Sequence, residues 1–163
     1  MRRLSAASPS PSSGPFVTFG PRSVTYAHEN DGGESVSTET NQVTVETLER
    51  LLDAFNAHDI DAVMSFFADD CVLEMPRGPD PWGRRLEGRE QVREGLASRF
   101  AGIPDVHYGD ARHWLAGGRG CSEWLLTGTS AEGERTEVRG CDLFEFRSGK
   151  IVRKDSYWKI VEG

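Results

Sequence analysis

The amino-acid sequence predicts an α+β fold in which three N-terminal helices pack against one strongly bent antiparallel sheet, giving a cone. Up to Gly102, apolar residues recur at helical spacing in three segments, whereas beyond it they alternate with polar residues. Helices followed by a run of consecutive strands are typical of α+β rather than α/β folds. A bent sheet with helices over its open side forms a natural pocket.

Three segments carry the helical pattern. The first is TVETLERLLDAFNAHD, with capping hydroxyls at Thr44 and Thr47, and the second, IDAVMSFFADD, begins after Asp59, another favourable cap. The third is GREQVREGLASRFAG, and the run CVLEMP before it predicts a short strand that ends at Pro76. The apolar faces of these helices consist of Val45, Leu48, Leu51, Leu52, Phe55, Ile60, Val63, Met64, Phe66, Phe67, Val92, Leu96 and Phe100.

Four longer segments alternate with period two and predict strands. They are DVHYGDARHWLA, CSEWLLTGTSA, RTEVRGCDLFEF and KIVRKDSYWKIV. The joints GGRG, AEGE and SG are all compatible with antiparallel hairpins. The four segments are therefore expected to form a meander of neighbouring strands.

Length and composition indicate one domain and a tail. The chain has 163 residues, enough to bury a core without disulfides or metals. Residues 1–42 offer too little apolar surface to offset the entropy of ordering, so we expect a disordered N-terminal tail and a domain over 43–163.

Charge and cysteine content exclude several classes of partner. A net charge of -7 argues against nucleic-acid or anionic-membrane binding, and no apolar run reaches the length of a membrane span. The segment MRRLSAASPSPSSGP lacks the apolar stretch of a secretory signal. Cys71, Cys121 and Cys141 form no CxxC motif and are expected to be apolar fillers in a reducing compartment, which favours a cytoplasmic protein.

Three ordered motifs carry a resemblance to a known family. The stretches HDIDAVMSFFADDCVLEMP, LEGREQVREGL and GCDLFEFRSGKIVRKDSYW resemble the NTF2-like superfamily, and most closely its SnoaL-like and ketosteroid-isomerase-like branch. The resemblance covers roughly residues 44 to 161. It implies the cone-shaped fold, but this fold hosts isomerases, cyclases, epoxide hydrolases, dehydratases and non-catalytic binding domains.

The resemblance assigns one catalytic position and leaves two unfilled. In the ketosteroid-isomerase branch a protonated aspartic acid on the penultimate strand donates to the developing enolate oxygen, and Asp142 stands at that position. The branch's tyrosine donor corresponds here to Leu51, and its general-base aspartate to Met75. This argues against steroid isomerisation by that mechanism and leaves other chemistry in the same cone open.

Strand parity predicts which side chains line the cone with Asp142. Val138, Phe144 and Phe146 share its side, and the family register places Glu123, Leu125, Thr127 and Thr129 inside, with Trp124 and Leu126 outside. By the same register His107, His113, Lys154, Ser156 and Trp158 point inwards. A one-residue slip of the last strand would bring in Asp155 and Tyr157 instead.

These side chains predict acid–base chemistry without a cofactor. The catalytic candidates are Asp142, Glu123, His107 and Asp155, because carboxyl groups and an imidazole in a dry site can hold and accept protons near neutral pH. No GxGxxG, P-loop or HExxH motif is present, and the spacing of acids and histidines matches no metal-ligand motif. The substrate-binding candidates are Leu51, Phe55, Phe67, Met75, His113, Leu125, Phe144 and Trp158.

The sequence thus favours an isomerase or cyclase acting on a small hydrophobic carbonyl or polyketide-like molecule. The alternatives are a hydrolase or dehydratase using the same pocket, and a non-catalytic ligand-binding domain. Trp124, Leu126, Cys141 and Leu143, taken as the outer face of the sheet, would form an apolar patch large enough to indicate a homodimer.

Overall fold

The computed structural model describes residues 42–162, and the predicted tail over 1–42 lies outside this range except for its last residue. The element order is α1 (Val45–Asn56), α2 (Ile60–Ser65), β1 (Phe67–Glu74), β2 (Arg85–Glu87), α3 (Arg89–Gly102), β3 (His107–Ala116), β4 (Arg119–Thr129), β5 (Arg135–Arg147) and β6 (Lys150–Trp158). The predicted α+β class is confirmed: the helices accompany a curved, unclosed six-stranded sheet. Among residues 42–162, no helix is both long and apolar enough to cross a membrane.

The sheet is mixed rather than purely antiparallel. Its strand order is β2-β1-β6-β5-β4-β3, and β1 runs parallel to β6 while all other neighbours are antiparallel. Consecutive strands usually pair, and the sequence pattern contains no signal for this long-range pairing of the first and last long strands. β2 also falls in a segment that carries no strand pattern.

Local chemistry explains where the first two helices begin. Thr44 and Thr47 form a reciprocal capping box at α1, and the Asp59 carboxylate accepts from the backbone N–H groups of Asp61 and Ala62 at α2. The buried side of α1 consists of Leu48, Leu51, Ala54 and Phe55.

The β5–β6 hairpin fixes the parity of both strands. Its two-residue turn is Ser148–Gly149, as the sequence indicates, and both residues have positive φ, 50° and 75°. A bulge between Glu145 and Phe146 then shifts the register by one residue, so that Asp142 lies opposite Ser156 and Phe144 opposite Lys154, and these four side chains share one face of the sheet. We call it the inner face, because it packs on the helices, and the opposite side the outer face.

Two apolar clusters fill the inner face. The larger one joins α1, α2 and α3 to β1, β5 and β6, and the smaller one consists of Ile103, Val106, Trp124, Leu126 and Val138. Gly140 lies between Trp124 of β4 and Trp158 of β6, directly opposite both. A Cβ at Gly140 would lie 2.3 Å from the Trp124 ring and 2.4 Å from the Tyr157 carbonyl oxygen, so only glycine lets this ring lie across the strand.

We expect Gly140→Ala to lower the free energy of unfolding by about 1–3 kcal/mol, because the methyl group overpacks the site against backbone and ring. Gly102→Ala is the matched control, since a Cβ there meets no atom within 4 Å. That control should be neutral or slightly stabilising. Urea denaturation of the two variants checks this, and equal stability of both would contradict the packing argument.

Candidate active site

Asp142 of β5 lies at the centre of the inner face and is only 6% exposed. Its Oδ1 accepts from Lys154 Nζ at 2.5 Å and from Ser156 Oγ at 2.7 Å, and its Oδ2 accepts from Trp124 Nε1 at 3.0 Å. Trp124 and Lys154 can only donate, so the surroundings suit an ionised carboxylate. The sequence interpretation of Asp142 as a protonated donor therefore does not match its hydrogen bonds.

Lys154 of β6 is the counter-ion of Asp142 and is 5% exposed. Its ammonium group also donates to Ser156 Oγ at 2.7 Å and lies 5.9 Å from the centre of the Phe55 ring. A buried ammonium group needs such partners, because its desolvation is costly. The inner face therefore holds a carboxylate, an ammonium group and a hydroxyl within direct hydrogen-bonding contact.

Tyr108 of β3 packs beside this group. The side chain of Asn56 bonds both backbone groups of Tyr108, at 3.0 and 2.8 Å, and so fixes this point of β3 against the end of α1. The Tyr108 ring meets the Trp124 ring edge-on at 5.2 Å between centroids. Burial raises the pKa of the Tyr108 phenol, and the Asp142 charge adds to the effect, so the phenol keeps its proton at neutral pH.

A cavity of about 40 Å³ opens beside the Asp142 carboxylate. Polar groups at its wall come from Asp142, Lys154, Ser156, Tyr108 and Arg99. The remaining lining is mostly apolar and comprises Leu52, Phe55, Leu73, Met75, Pro76, Gly95, Leu96, Trp124, Leu126 and Trp158. The cavity has room for water-sized groups, so the aromatic side chains fill most of the cone.

A larger, open space of about 310 Å³ adjoins this cavity. We call it the mouth, and it is lined by Met75, Pro76, Arg77, Arg99, Ile103, Thr136 and Trp158. Four of these residues, Met75, Pro76, Arg99 and Trp158, also line the inner cavity. A bound molecule could therefore lie in the mouth and reach the cavity with one end.

The predicted parity of β4 is wrong by one residue. Ser122 and Trp124 lie opposite Asp142 and Gly140, so Trp124 and Leu126 point inwards. Glu123 and Leu125 lie on the outer face, where Glu123 lines an open pocket with Arg139 and Cys141. Both faces of β4 carry apolar residues, so alternation in the sequence did not distinguish them. The signal that was available is Gly140, whose missing side chain leaves room for an inward Trp124.

A bulge in β3 places His107 and His113 on opposite faces of the sheet, although strand parity predicted that both point into the cone. The register shifts between Gly109 and Arg112, and Asp110 has a φ of 47°. His107 lies opposite Thr127 and therefore on the outer face, contrary to prediction. His113 does lie on the inner face, where its Nδ1 is 2.7 Å from Ser122 Oγ, but it does not line the cavity. Burial lowers the pKa of His113, although Glu49 and Asp53 oppose this.

The favoured register of β6 is confirmed, since Lys154, Ser156 and Trp158 all line the cavity. Asp155 consequently lies on the outer face, where its carboxylate accepts from Arg153 and from the Tyr157 hydroxyl, both at 2.8 Å. Arg153 also pairs with the buried Glu74. Asp155 is thus a member of an ion-pair cluster separated from Asp142 by the sheet.

Apart from His113 and Leu125, which are described above, the substrate-binding candidates divide into two groups. Phe55, Met75 and Trp158 line the cavity. Leu51, Phe67 and Phe144 are instead core residues that do not reach it. Sequence reasoning did not place Tyr108, Arg99 and Trp124 at the cavity. The positions of Tyr108 and Trp124 depend on the strand parities just described, and that of Arg99 depends on helix packing.

The apolar residues of the outer face also differ from those predicted, because the parity of β4 is shifted by one residue. Cys141 and Leu143 lie on it as expected, but Trp124 and Leu126 do not. Trp114 takes their place, since it lies opposite Cys121, which lies opposite Leu143.

Burial raises the pKa of the Cys121 thiol to about 12, which agrees with a packing role. Among residues 42–162, no three His, Cys, Asp or Glu side chains are arranged to hold a metal ion.

Comparison with known proteins relates this geometry to a family. The family model described as the SnoaL-like domain matches residues 48–154. A comparison with curated proteins gave no match.

Solved structures share the fold. An NTF2-like protein of unknown function from Mesorhizobium loti is 28% identical, with a TM-score of 0.59 over 78% of this chain and 98% of that one. A candidate polyketide cyclase from Xanthomonas campestris is 24% identical, with a TM-score of 0.61 over 69% and 87% of the two chains. A protein with a ketosteroid isomerase-like fold from Catenulispora acidiphila, in complex with trimethylamine, is 22% identical, with a TM-score of 0.63 over 72% and 88%. The chain belongs to the SnoaL-like family and has its NTF2-like, ketosteroid isomerase-like fold.

Proposed function

We propose that this protein is a cofactor-independent enzyme that transfers protons on a small carbonyl compound, as an isomerase or a cyclase does. One observation carries the proposal: a buried carboxylate, an ammonium group and a hydroxyl meet at the wall of an apolar cavity, at Asp142, Lys154 and Ser156. The names of structural neighbours, polyketide cyclase and isomerase, support this reaction class.

The hydrogen bonds suggest different roles for these groups from those inferred from the sequence. Asp142, held as an acceptor by Trp124 and Lys154, is suited to remove a proton from carbon next to the substrate carbonyl. Lys154 and Ser156 donate to the Asp142 carboxylate, and once it has taken the proton their N–H and O–H groups would be free to stabilise the negative charge on the enolate oxygen. Asp142 then returns the proton to another carbon. In a cyclase, the enolate carbon would instead add to a second carbonyl carbon of the same substrate, and Asp142 would return its proton to the new alkoxide oxygen. Glu123, His107 and Asp155 have no part in this proposal, because they lie beyond the sheet.

The size of the cavity limits what reacts there. At about 40 Å³ it admits the reacting end of a substrate, so the remainder would lie in the mouth. The same size favours a second candidate function, because a single water fits beside Asp142 and could be activated for hydrolysis or hydration. A filled cone also suits a non-catalytic binding domain, and turnover distinguishes that possibility.

We expect Asp142→Asn to slow exchange of ketone α-protons by a factor of about 100 or more, because it removes the base. The measurement is loss of the α-proton signals of a ketone in D₂O by NMR, for the wild type and the variant. Asp155→Asn is the matched control, since Asp155 is equally buried but on the outer face. Equal exchange rates in the wild type and Asp142→Asn would exclude the proposed base.

Loss of one partner from the buried pair also destabilises the fold, by about 3–5 kcal/mol. The double variant Asp142→Asn, Lys154→Met removes both charges and should recover much of this stability while remaining inactive.

Incorporation of ¹⁸O from labelled water into product, rather than deuterium at carbon, would favour hydrolysis over isomerisation.

We also propose a homodimer through the outer face. Trp114, Leu143 and Tyr157 are 47%, 41% and 53% exposed, and Trp114 and Leu143 lie in line across three neighbouring strands with the buried Cys121 between them. A second copy is the proposed occupant because this strip of apolar residues is flanked by charges of both signs, such as Arg119 and Glu145, which a two-fold axis can pair with their copies.

Sedimentation velocity should therefore show a dimer for the wild type and a folded monomer for Leu143→Glu. The control is Val45→Glu, which places the same charge on an equally exposed apolar residue of α1 and should remain dimeric. A monomeric wild type at micromolar concentration would contradict the interface.

A further inference from the structure

Two arginines flank one tryptophan in the mouth. Arg99 lies in the last turn of α3, with its guanidinium carbon 4.5 Å from the centre of the Trp158 ring. Arg77, in the loop after β1, lies 5.6 Å from the same ring. Cation–π contacts of this kind hold guanidinium planes in place while leaving their N–H groups free to bind an anion.

Neither arginine has an acidic partner among residues 42–162. Most arginines of residues 42–162 form ion pairs, for example Arg85 with Glu74, Arg93 with Asp61 and Arg147 with Asp70, but Arg77 and Arg99, like Arg50, Arg84 and Arg112, form none there. The neighbouring Glu137 pairs with Arg135. Two uncompensated positive charges in a protein of net charge -7 therefore meet at the mouth. Such a local excess of positive charge attracts anions despite the overall negative charge.

Trp158 itself carries an unused donor. Its Nε1 is buried and has no hydrogen-bond acceptor among the described residues. Buried donors of this kind are uncommon, and leaving one unpaired is unfavourable. An acceptor brought in by a bound molecule, with a small shift of the arginines that cover the ring, would satisfy it.

A purely structural role of the contacts of Arg77 and Arg99 with the Trp158 ring does not explain the missing acidic partners or the unpaired Trp158 donor among residues 42–162. Covering an indole ring requires one cation at most, and an ordinary stacking arginine can also pair with an acid. Here both guanidinium groups face open space of about 310 Å³, and Arg99 also reaches the inner cavity, close enough to Tyr108 to lower the pKa of its phenol. The donors converge on the route by which a substrate would approach Asp142.

We propose that the mouth binds a carboxylate, with Arg77 and Arg99 as its donors, so that the natural substrate is a small organic acid that also carries a carbonyl group. Guanidinium groups match a carboxylate with two parallel hydrogen bonds. The acid group would rest between the arginines beside Trp158, and the carbonyl would point to Lys154 and Ser156. This assignment of the substrate class rests on the proposed function of the inner cavity.

The test compares acids with their esters, which differ mainly in charge. The probes are 4-oxo-4-phenylbutanoate and the smaller 4-oxopentanoate, each with its methyl ester, titrated calorimetrically into the full chain. We expect each acid to bind at least about tenfold more tightly than its ester, and Arg99→Gln and Arg77→Gln to remove most of this difference. The indole N–H signal of Trp158, assigned with Trp158→Phe, should shift in ¹⁵N NMR with the acid alone.

Arg93→Gln is the matched control, because it removes the same charge from the same helix at an exposed site paired with Asp61. It should bind like the wild type. Equal binding of acid and ester, no binding of either pair, or undiminished acid binding by Arg99→Gln would overturn the proposal. Failure of the proposed chemistry would look different: the acids would bind selectively, and Asp142→Asn would leave their α-proton exchange unchanged.

Discussion

The ion pair between Asp142 and Lys154 determines how the rest of the inner face is arranged. Removing two charges from water costs several kcal/mol each, and their attraction offsets this only when the remaining hydrogen-bonding capacity is used. Ser156 and the Trp124 indole meet that need on the carboxylate. Because Trp124 must point inwards to donate, its ring lies over Gly140, and the cone is filled at this level. The charge pair thus specifies the orientation of β4 and the small size of the cavity together.

The sheet separates two groups of buried charges by strand parity. On β6, Lys154 and Ser156 belong to the inner group, whereas on the outer face Arg153 donates to both Asp155 and Glu74. The groups of each face bond among themselves, with Arg85 as a second cation for Glu74 on the outer face, so the two can be altered independently. This separation is what makes Asp155 a useful reference for Asp142, since the two carboxylates share burial but not surroundings.

The sequence predicted the inner side of β5 and β6 correctly, because the register of β6 was taken from the family resemblance rather than from the turn. The Ser148–Gly149 turn by itself would place Asp155 opposite Asp142, and a bulge between Glu145 and Phe146 instead brings Lys154, Ser156 and Trp158 to the inner face. Sequence reasoning failed at β4, where Trp124 and Leu125 are neighbours and both are apolar, so that packing against Gly140 decides which points inwards. It failed again at β3, because the bulge at Asp110 reverses parity between His107 and His113 and leaves no mark that alternation can detect. The long-range pairing of β1 with β6 likewise depends on the whole fold.

The distribution of charge from the mouth to the inner cavity connects the proposed reaction at Asp142 with the proposed carboxylate site at the mouth. Asp142 and Lys154 neutralise each other, so the pair itself adds little net charge with which to attract an ionic ligand. The charges of Arg77 and Arg99, which have no ion-pair partner among residues 42–162, lie at the mouth, and Arg99 also lines the inner cavity. Binding energy gained at such a remote group can hold the reacting carbon in place beside the base without neutralising the base itself. An anionic anchor at the mouth therefore resolves an apparent conflict, since an acid entering the inner cavity directly would compete with Asp142 for Lys154.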